Sequence, residues 1–477
     1  MTDFRVQKTL GDAQVLHRPW WLLLWDAARG IEHDYTQGAL SRSILLLAVP
    51  MVLEMAMESI FVVVDIFWVS HLGPDAVAVV GLTESMMVVV YTLAMGLSIG
   101  AAAVVARRIG EKDSEGAARA AMQSILLGLV ISVSLSIFGA LAAPWLLSQM
   151  GAPSSLIEES GLFSSVMLGG SLTAFMLFTI NAANRGAGDA AMAMRVLWVA
   201  NIINMILGPL CIFGIGPFPA MGVTGAAVAT TLGRGIGAAY ALYHLCYGKG
   251  RLRLANIPWR PEWDIIKRIL RLSGHSTFQV LVGSMSWVLL VRMVAQFGSV
   301  AMAGYTIAIR LMMLIILPSY GLSNAAATLV GQSLGAGDPD RAEAAVWQSA
   351  RYNLIFMGLA GVVFLIGAPM IVGVFTHDEA VASVAVYGLR CVALGFPFFA
   401  YGMVLTQSFN GAGDTATPTW INIGVFWALE LPLAWLLSFH DGLQYKGVFM
   451  AITVCYSILA IVSALVFRRG KWRSHAV

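Results

Sequence analysis

Long apolar stretches recur along this chain, separated by short turns rich in glycine, proline and polar residues. Each stretch is about 20 to 30 residues long, and a helix needs about 20 apolar residues to cross a bilayer. The turns leave no room for a soluble domain between successive stretches. The pattern therefore predicts an all-α integral membrane protein with twelve transmembrane helices.

The first long stretch, residues 45–72, contains three carboxylates, Glu54, Glu58 and Asp65. Successive residues of a helix are about 100° apart, so these three side chains share one stripe. Carboxylates are costly in hydrocarbon and usually face a cavity, a cation or a proton path. We therefore expect the stripe to face a polar cavity and not lipid.

The two halves of the chain repeat each other. The segment that begins at Ala103 aligns with the segment that begins at Thr328, a shift of 225 residues (from 103 to 328), and the same shift relates the GAGD of Gly186–Asp189 to that of Gly411–Asp414. Because each half has six predicted helices, both copies enter the membrane from the same side and the repeat is parallel. Substrate is then expected near mid-membrane, between the halves or within one of them.

These features predict five segments. They are a cytoplasmic N-terminal segment with an interfacial helix at 1–42, a first lobe of six helices at 43–248, a basic cytoplasmic linker at 249–264, a second lobe of six helices at 265–467, and a basic cytoplasmic tail at 468–477. The apolar core of the N-terminal segment is too short to span a bilayer, and no signal-peptidase site follows it in the usual place.

Composition and charge agree with this interpretation. The chain is 58% hydrophobic and 12% charged, whereas soluble domains carry about 25% charged residues. Lys and Arg concentrate in alternate turns, near 107–119, 185–195 and 249–271 in the first half. Since such turns stay on the cytoplasmic side, we expect a multi-pass membrane protein with both termini in the cytoplasm.

The sequence contains no motif for enzyme chemistry or for ATP binding. Its four cysteines are far apart, with neither disulfide nor metal spacing. We therefore expect no enzyme, no metal and no cofactor, and energy for uphill transport must come from an ion gradient.

The carboxylates of the first span belong to one half only, since Glu58 and Asp65 align with Gly283 and Leu290 in the second half. A feature required for folding would tend to occur in both halves, so we interpret the three acids as ion- or substrate-coupling groups. The alternative is a structural ion pair, for which Arg234 is the obvious partner.

Other polar residues inside predicted spans are candidates for a substrate or ion pocket: Glu84, Glu430, Asn181, Asn201 and Asn204. The two glutamates could instead pair with intramembrane arginines. The three asparagines could instead hold helices together.

The GAGD motifs lack the strand and the Lys-Ser/Thr of a phosphate-binding loop. We assign Gly188 and Gly413 to helix ends and Asp189 and Asp414 to caps of the helices that follow.

Several segments are together specific for one family. They are Pro50 with Asp65 fifteen residues later, VSHLGPDAVAVVGL at 69–82, NMILGPLCIFGIG at 204–216, LVGQSLGAGDPDRAEAA at 329–345 and FNGAGDTATP at 409–418. From about residue 41 to residue 467 the chain resembles the multidrug and toxic compound extrusion (MATE) family, in particular its bacterial branch related to DNA-damage-inducible (DinF-like) proteins.

The resemblance implies two six-helix lobes arranged as a V, alternating access, and export of cationic or amphipathic organic compounds in exchange for Na⁺ or H⁺. It matches Asp65 to the first-helix aspartate implicated in cation coupling, Asn204 to the asparagine of the fifth-helix motif, and Thr230 to the sixth-helix threonine of the same pocket. It also implies a structural role for Pro50. Expected partners are the organic substrate and membrane lipid, with no nucleic acid, and the protein is expected to be a monomer.

The chain departs from the family pattern in the same pocket. Gly208 stands where many relatives have an aspartate, and Arg234 stands where they more often have a neutral polar residue. Both departures disfavour a Na⁺ site, the second by like-charge repulsion, and favour H⁺ as the coupling ion.

Two alternatives remain open at the level of sequence. A flippase for lipid-linked or polyisoprenoid substrates of the same superfamily would use a strongly cationic lumen, and the stripe of acids argues against it. A non-transporting membrane receptor or scaffold would show no ion-dependent movement of substrate.

Overall fold

The structure, a computed structural model, describes residues 20–30, 33–248, 250–255 and 257–475. The predictions made for residues 1–19 lie outside these ranges. No strand occurs in the described ranges, and the long helices are joined by short turns. The all-α membrane class predicted from the apolar pattern is confirmed.

Eight helices belong to the first half. They are α1 Trp20–Arg29, α2 Leu40–Ser70, α3 Pro74–Gly110, α4 Ser114–Gln149, α5 Ser154–Gly169, α6 Ser171–Ala187, α7 Ala190–Phe213 and α8 Val223–Tyr247. Helix α1 is short, and α5 and α6 together form one membrane span.

The second half contains seven α-helices and two π-helical segments. They are α9 Trp263–Ala295, α10 Ser299–Gly335, α11 Pro339–Gly373, α12 Glu379–Gly411, α13 Ala416–Asn422, α14 Leu431–Trp435 and α15 Tyr445–Arg468, with π-helical turns at Ile423–Glu430 and Leu436–His440. The segments from α13 to the second π-helical turn form one continuous span.

Eleven spans within the described ranges are long and apolar enough to cross a membrane. Helix α8 is the remaining predicted span. It is 25 residues long, and its glycines and Arg234 lower its mean hydropathy below that of the others.

The GAGD turns join successive spans with tight backbone geometry. Gly188 and Gly413 have φ of +85° and +86°, a left-handed conformation that suits glycine. The Asp189 carboxylate accepts a hydrogen bond from the Met192 amide at 3.1 Å, and Asp414 accepts one from the Thr417 amide at 3.1 Å. These aspartates thus accept hydrogen bonds from backbone amides in the first turns of α7 and α13.

The lobes meet where the first membrane span of each half packs along the second span of the other half. These contacts join α2 with α10 and α9 with α3. Glycines permit this approach. A Cβ on Gly96 would lie 2.7 Å from Thr277 Cα, and one on Gly110 would lie 2.0 Å from the Gln332 carbonyl oxygen. The Gly110 contact lies at the end of the molecule that carries the basic turns, which we call the basic end, and the Gly96 contact lies deeper, within α3.

The loop before α2 ties the two lobes together at the basic end. The Tyr35 hydroxyl donates to the Gly188 carbonyl at 3.2 Å, and the Arg251 guanidinium stacks 5.1 Å from the Tyr35 ring centroid. From the second lobe, Arg341 donates to the carbonyls of Tyr35 and Gly38, both at 3.0 Å. Burial raises the pKa of Tyr35 to about 12, so its hydroxyl remains a donor at neutral pH.

Candidate functional site

A cavity of about 470 Å³ lies between the lobes, lined mainly by α2, α3, α6 and α8 on one side and α10 and α12 on the other. Small-molecule sites usually have volumes of roughly 300–1,000 Å³. Most of the lining is apolar, with methionine, phenylalanine, valine and leucine side chains. Its charged residues are Glu54, Glu58, Asp65, Glu84, Arg185 and Arg234.

Hydrogen bonds between the lobes close the floor of this cavity. The Thr328 hydroxyl donates to the Arg185 carbonyl at 3.2 Å, and the Gln332 side chain donates to the Gly186 carbonyl at 3.0 Å. The lining extends away from the basic end to Val62 and Glu84, whose side chains are exposed. The cavity is therefore closed at the basic end and accessible from the opposite direction.

Glu54 lies at the floor and forms an ion pair that the sequence did not indicate. Its Oε1 is 2.7 Å from Nη1 of Arg185. The Glu54 side chain is 2% exposed and that of Arg185 is 13% exposed. Arg185 belongs to the last turn of α6, next to the basic turn near 185–195 where the sequence analysis placed it, and its side chain also lines the cavity. The contact gives Glu54 a structural partner, whereas the sequence analysis interpreted it as an ion- or substrate-coupling group.

Glu58 lies one turn further along α2, within a polar cluster. Its Oε2 accepts from the Asn201 amide at 3.1 Å, and its Oε1 is 3.9 Å from Arg234 Nη2. Arg234 also donates to the Tyr91 hydroxyl at 2.7 Å, and its guanidinium lies 5.8 Å from the Phe61 ring centroid. Arg234 is therefore held against Glu58 and two aromatic rings, and it makes no ion pair with Asp65 within 4 Å.

Asp65 and Glu84 are the carboxylates of the lining that lack a close cation. Neither makes a salt bridge within 4 Å, or a hydrogen bond, to any side chain in the described ranges. Arg234 influences Asp65, and Arg310 influences Glu84, electrostatically over a longer distance. After the ion pairs of Glu54 and Glu58 are taken into account, the cavity retains two unpaired negative groups.

Behind the cavity wall, Asn204 donates to the Thr230 hydroxyl at 2.7 Å. Thr230 lines the cavity, whereas Asn204 and Asn201 do not. The two asparagines, predicted to belong to the pocket, donate hydrogen bonds to the pocket residues Thr230 and Glu58. Gly208, one turn beyond Asn204, has open space beside it, since a Cβ there would meet only Trp68 Cδ1, at 4.0 Å.

Asn181 lies in the lining, and its amide donates to the Ala193 carbonyl at 3.3 Å. Its Oδ1 is buried without a partner in the described ranges.

Glu430 lies outside the cavity. It is 2% exposed, within the second lobe, and accepts a hydrogen bond from the Ser286 hydroxyl at 2.8 Å. It is not part of the lining of the interlobe cavity, and it has no salt bridge to an arginine in the described part of the chain.

The second lobe contributes a polar wall that the sequence analysis missed. Gln407 donates to the Tyr320 hydroxyl, and Asn410 donates to Gln407 at 3.2 Å. With Asn324, these residues line the cavity opposite the carboxylates. Their polarity within apolar spans was the available signal, but it does not show that two helices present these groups to one space.

Comparison with known proteins places this arrangement in a family. The MatE family model matches residues 50–210 and 276–436, about two thirds of the chain. The chain belongs to the MatE family. The two matched blocks are equally long and are related by a shift of 226 residues (from 50 to 276), one residue from the shift of the sequence repeat.

The sequences of related proteins align with this chain over nearly its whole length. It is 26% identical over 437 residues to the "Probable multidrug resistance protein NorM" of Thermotoga maritima, covering 91% of this chain and 94% of the relative. It is 24% identical to the "FAD transporter" of Shewanella oneidensis, covering 90% of this chain and 94% of the relative.

Solved MATE structures share the fold. One described as the outward-facing conformation of a multidrug resistance MATE family transporter of the MOP superfamily has a TM-score of 0.86 and 26% identity, covering 91% of this chain and 97% of the other. A MOP superfamily transporter from Pyrococcus furiosus, described as having a binding pocket of reversed polarity, also has a TM-score of 0.86 and 26% identity, covering 92% and 98%.

Proposed function

We propose that this MatE-family protein is a secondary antiporter of the bacterial inner membrane. It exports cationic or amphipathic organic compounds in exchange for H⁺ or Na⁺, with H⁺ the favoured ion, and works as a monomer with both termini in the cytoplasm. The observation that carries the proposal is the interlobe cavity, whose walls are largely apolar and whose unpaired charges, Asp65 and Glu84, are both negative.

The cavity suits an organic cation for physical reasons. Methionine and aromatic side chains offer adaptable apolar contacts to substrates of different shapes. Unpaired carboxylates in a partly dehydrated space attract a cation more strongly than they would in water. A neutral or anionic compound gains the apolar contacts but not the attraction to the carboxylates.

Asp65 can couple the two fluxes by competition. A bound organic cation and a proton both neutralise its charge, so each is expected to weaken binding of the other, as reciprocal linkage requires. Substrate leaves from the cavity, which is open away from the basic end, when a proton binds at Asp65. The protonated carrier can then turn inward and release the proton on the other side.

Proton coupling is favoured over sodium coupling by the ligands near Asp65. A Na⁺ ion needs several oxygen ligands, yet Gly208 supplies none and Arg234 places a fixed positive charge in the same pocket. A proton needs only one carboxylate oxygen.

The test uses purified protein in proteoliposomes with an imposed pH gradient or an imposed Na⁺ gradient. Uptake is measured for a panel of fluorescent organic cations, with FAD as an anionic comparison compound. We expect transport of cations driven by the pH gradient alone. Transport of FAD in preference to cations, or no gradient-dependent movement of any compound, would refute the proposal.

A further inference from the structure

The second lobe contains a buried carboxyl group that the interlobe cavity does not use. Glu430 is the last residue of the π-helical turn Ile423–Glu430 and is 2% exposed. Its Oε2 accepts one hydrogen bond, from Ser286 on α9. Its Oε1 is buried and has no partner among the described side chains. π-Helical turns inside α-helices occur frequently at functional sites.

Among the described residues, the groups that surround Glu430 carry no positive charge. Ser286 approaches from α9, where the next residue, Trp287, bonds Tyr456, and Tyr305 lies nearby on α10. Cys455 and Tyr456 approach from α15. The Tyr305 hydroxyl is itself buried without a hydrogen-bond partner.

An ionised carboxylate in such surroundings would be strongly destabilised. Burying a charge costs many kcal/mol unless the charge is paired and hydrogen-bonded, so an unpaired group usually becomes neutral instead. One serine donor satisfies only one of the two carboxylate oxygens. A proton on Glu430 removes the charge without requiring a partner cation.

The contacts of Glu430 repeat an arrangement of the first lobe. There, the Trp198 indole on α7 donates to the Leu53 carbonyl on α2 at 3.1 Å, and Asn201, three residues later, bonds the Glu58 carboxylate on α2. This contact joins a carboxylate to a polar group across the α2–α7 pair.

In the second lobe, the Trp427 indole donates to the Val282 carbonyl on α9 at 3.0 Å, and Glu430, again three residues later, bonds Ser286 on α9. Both lobes therefore join a carboxylate to a polar group at the same crossing of helices. The carboxylate lies on α2 in the first lobe and at the end of the π-helical turn in the second.

The geometry points to Glu430 as a second proton-binding site, located in the second lobe and separate from the interlobe cavity. The ligand is a proton taken from water, which forms a bond to a carboxylate oxygen and returns to water on release. A metal cation is disfavoured, because the neighbours are mostly aromatic and supply few oxygen ligands. A role for this site in coupling extends the proposed function and rests on it. Proton binding at Glu430 can nevertheless be measured without transport.

The experiment is an infrared pH titration of the full-length protein in lipid nanodiscs. A protonated carboxyl in apolar surroundings gives a carbonyl stretching band separate from those of ionised carboxylates. We expect Glu430→Gln to lose one such band. Ser286→Ala should keep the band at a shifted frequency, because it removes the hydrogen bond and leaves the carboxyl. Glu379→Gln, at an exposed glutamate of α12, is the matched control and should leave the band unchanged.

Retention of every protonated-carboxyl band in folded Glu430→Gln would overturn the inference. If that variant does not fold, Ser286→Ala carries the test, and an unshifted band would overturn it. Absence of gradient-driven transport by the wild-type protein would refute the antiporter proposal and leave the infrared result unaffected, so the two failures are distinguishable.

Discussion

Gly208 leaves an open position beside the pair formed by Asn204 and Thr230. A side chain there meets only the edge of Trp68, at 4.0 Å, so an aspartate fits without displacing backbone. Gly208 therefore supplies no oxygen ligand beside this pair, and Arg234 lies in the lining of the same lobe.

We predict that Gly208→Asp creates a measurable preference for Na⁺. The change adds a carboxylate near Asn204, and a ligand that binds only the folded state at about one hundred times its Kd stabilises that state by about 2.7 kcal/mol. The measurement is thermal unfolding in NaCl compared with choline chloride. Gly208→Asn, which has the same shape without the charge, is the control. A Na⁺-specific gain already present in the wild-type protein would contradict the assignment of H⁺.

The pair of Glu54 and Arg185 gives a second prediction at this scale. Glu54→Gln leaves the Arg185 charge buried without its partner, which typically costs about 3–5 kcal/mol. The measurement is the free energy of unfolding in a denaturing-detergent titration. Adding Arg185→Gln should recover part of the loss, because it removes the unpaired charge.

Glu58→Gln is the matched control for Glu54→Gln. The Glu58 side chain is 22% exposed and lies 3.9 Å from its cation, so its loss should cost less. Equal losses for the two variants would show that the Glu54 pair has no special structural role.

At the residue scale, sequence identified the groups but not their partners. The 100° spacing of helical residues placed Glu54, Glu58 and Asp65 on one stripe, and all three line one cavity. Arg185 could not be assigned to Glu54, because the two are 131 residues apart in the chain and only the packing of α6 against α2 brings them together.

At the scale of helices, glycine spacing on α3 sets how closely the lobes approach. Gly96 and Gly100 face α9, where Cβ atoms would lie 1.9 Å from Thr277 Oγ1 and 2.4 Å from Ser273 Oγ. Gly81, further along the same helix, has no atom within 4 Å of such a position. Helix α3 thus has glycines that pack tightly against α9 and, at Gly81, a glycine with open space beside it.

We predict that Gly96→Ala forces α3 and α9 apart, since the added methyl would also lie 2.7 Å from the Thr277 backbone. The measurement is the distance between spin labels at Glu115 and Ala336, two exposed positions on different lobes, in a cysteine-free background. The distribution should shift to longer distances in Gly96→Ala and stay unchanged in Gly81→Ala. Identical distributions in both variants would contradict the packing argument.

The apolar pattern predicted the order of the spans, because each must bury about 20 residues in lipid, and eleven of the twelve predicted spans are long and apolar enough to cross a membrane in the described ranges. It could not predict the two π-helical turns around α14, since these depend on local hydrogen-bond geometry and leave the hydropathy unchanged. Nor could it show that α5 and α6 form one span interrupted at Gly170.

At the scale of the whole molecule, the cavity is closed at one end by the contacts of α3 with α9 and α10. The loop before α2 reinforces this closure, since Arg341 of the second lobe and Arg251 of the linker both hold it. Opening the cavity at the basic end requires these contacts to separate while the lobes keep their internal packing. The internal repeat predicted two such lobes from sequence, but the direction in which the cleft opens is a property of the packed structure.

The most direct test of the account is gradient-driven transport by Asp65→Asn in proteoliposomes. The substitution keeps the shape of the side chain and removes its charge, so the protein should assemble normally yet lose coupling. We predict that cation transport driven by the pH gradient falls to the level of protein-free vesicles, with gel-filtration behaviour and expression close to wild type. Glu115→Gln, at an exposed glutamate of α4, should retain wild-type transport. Wild-type transport by folded Asp65→Asn would contradict the central assignment.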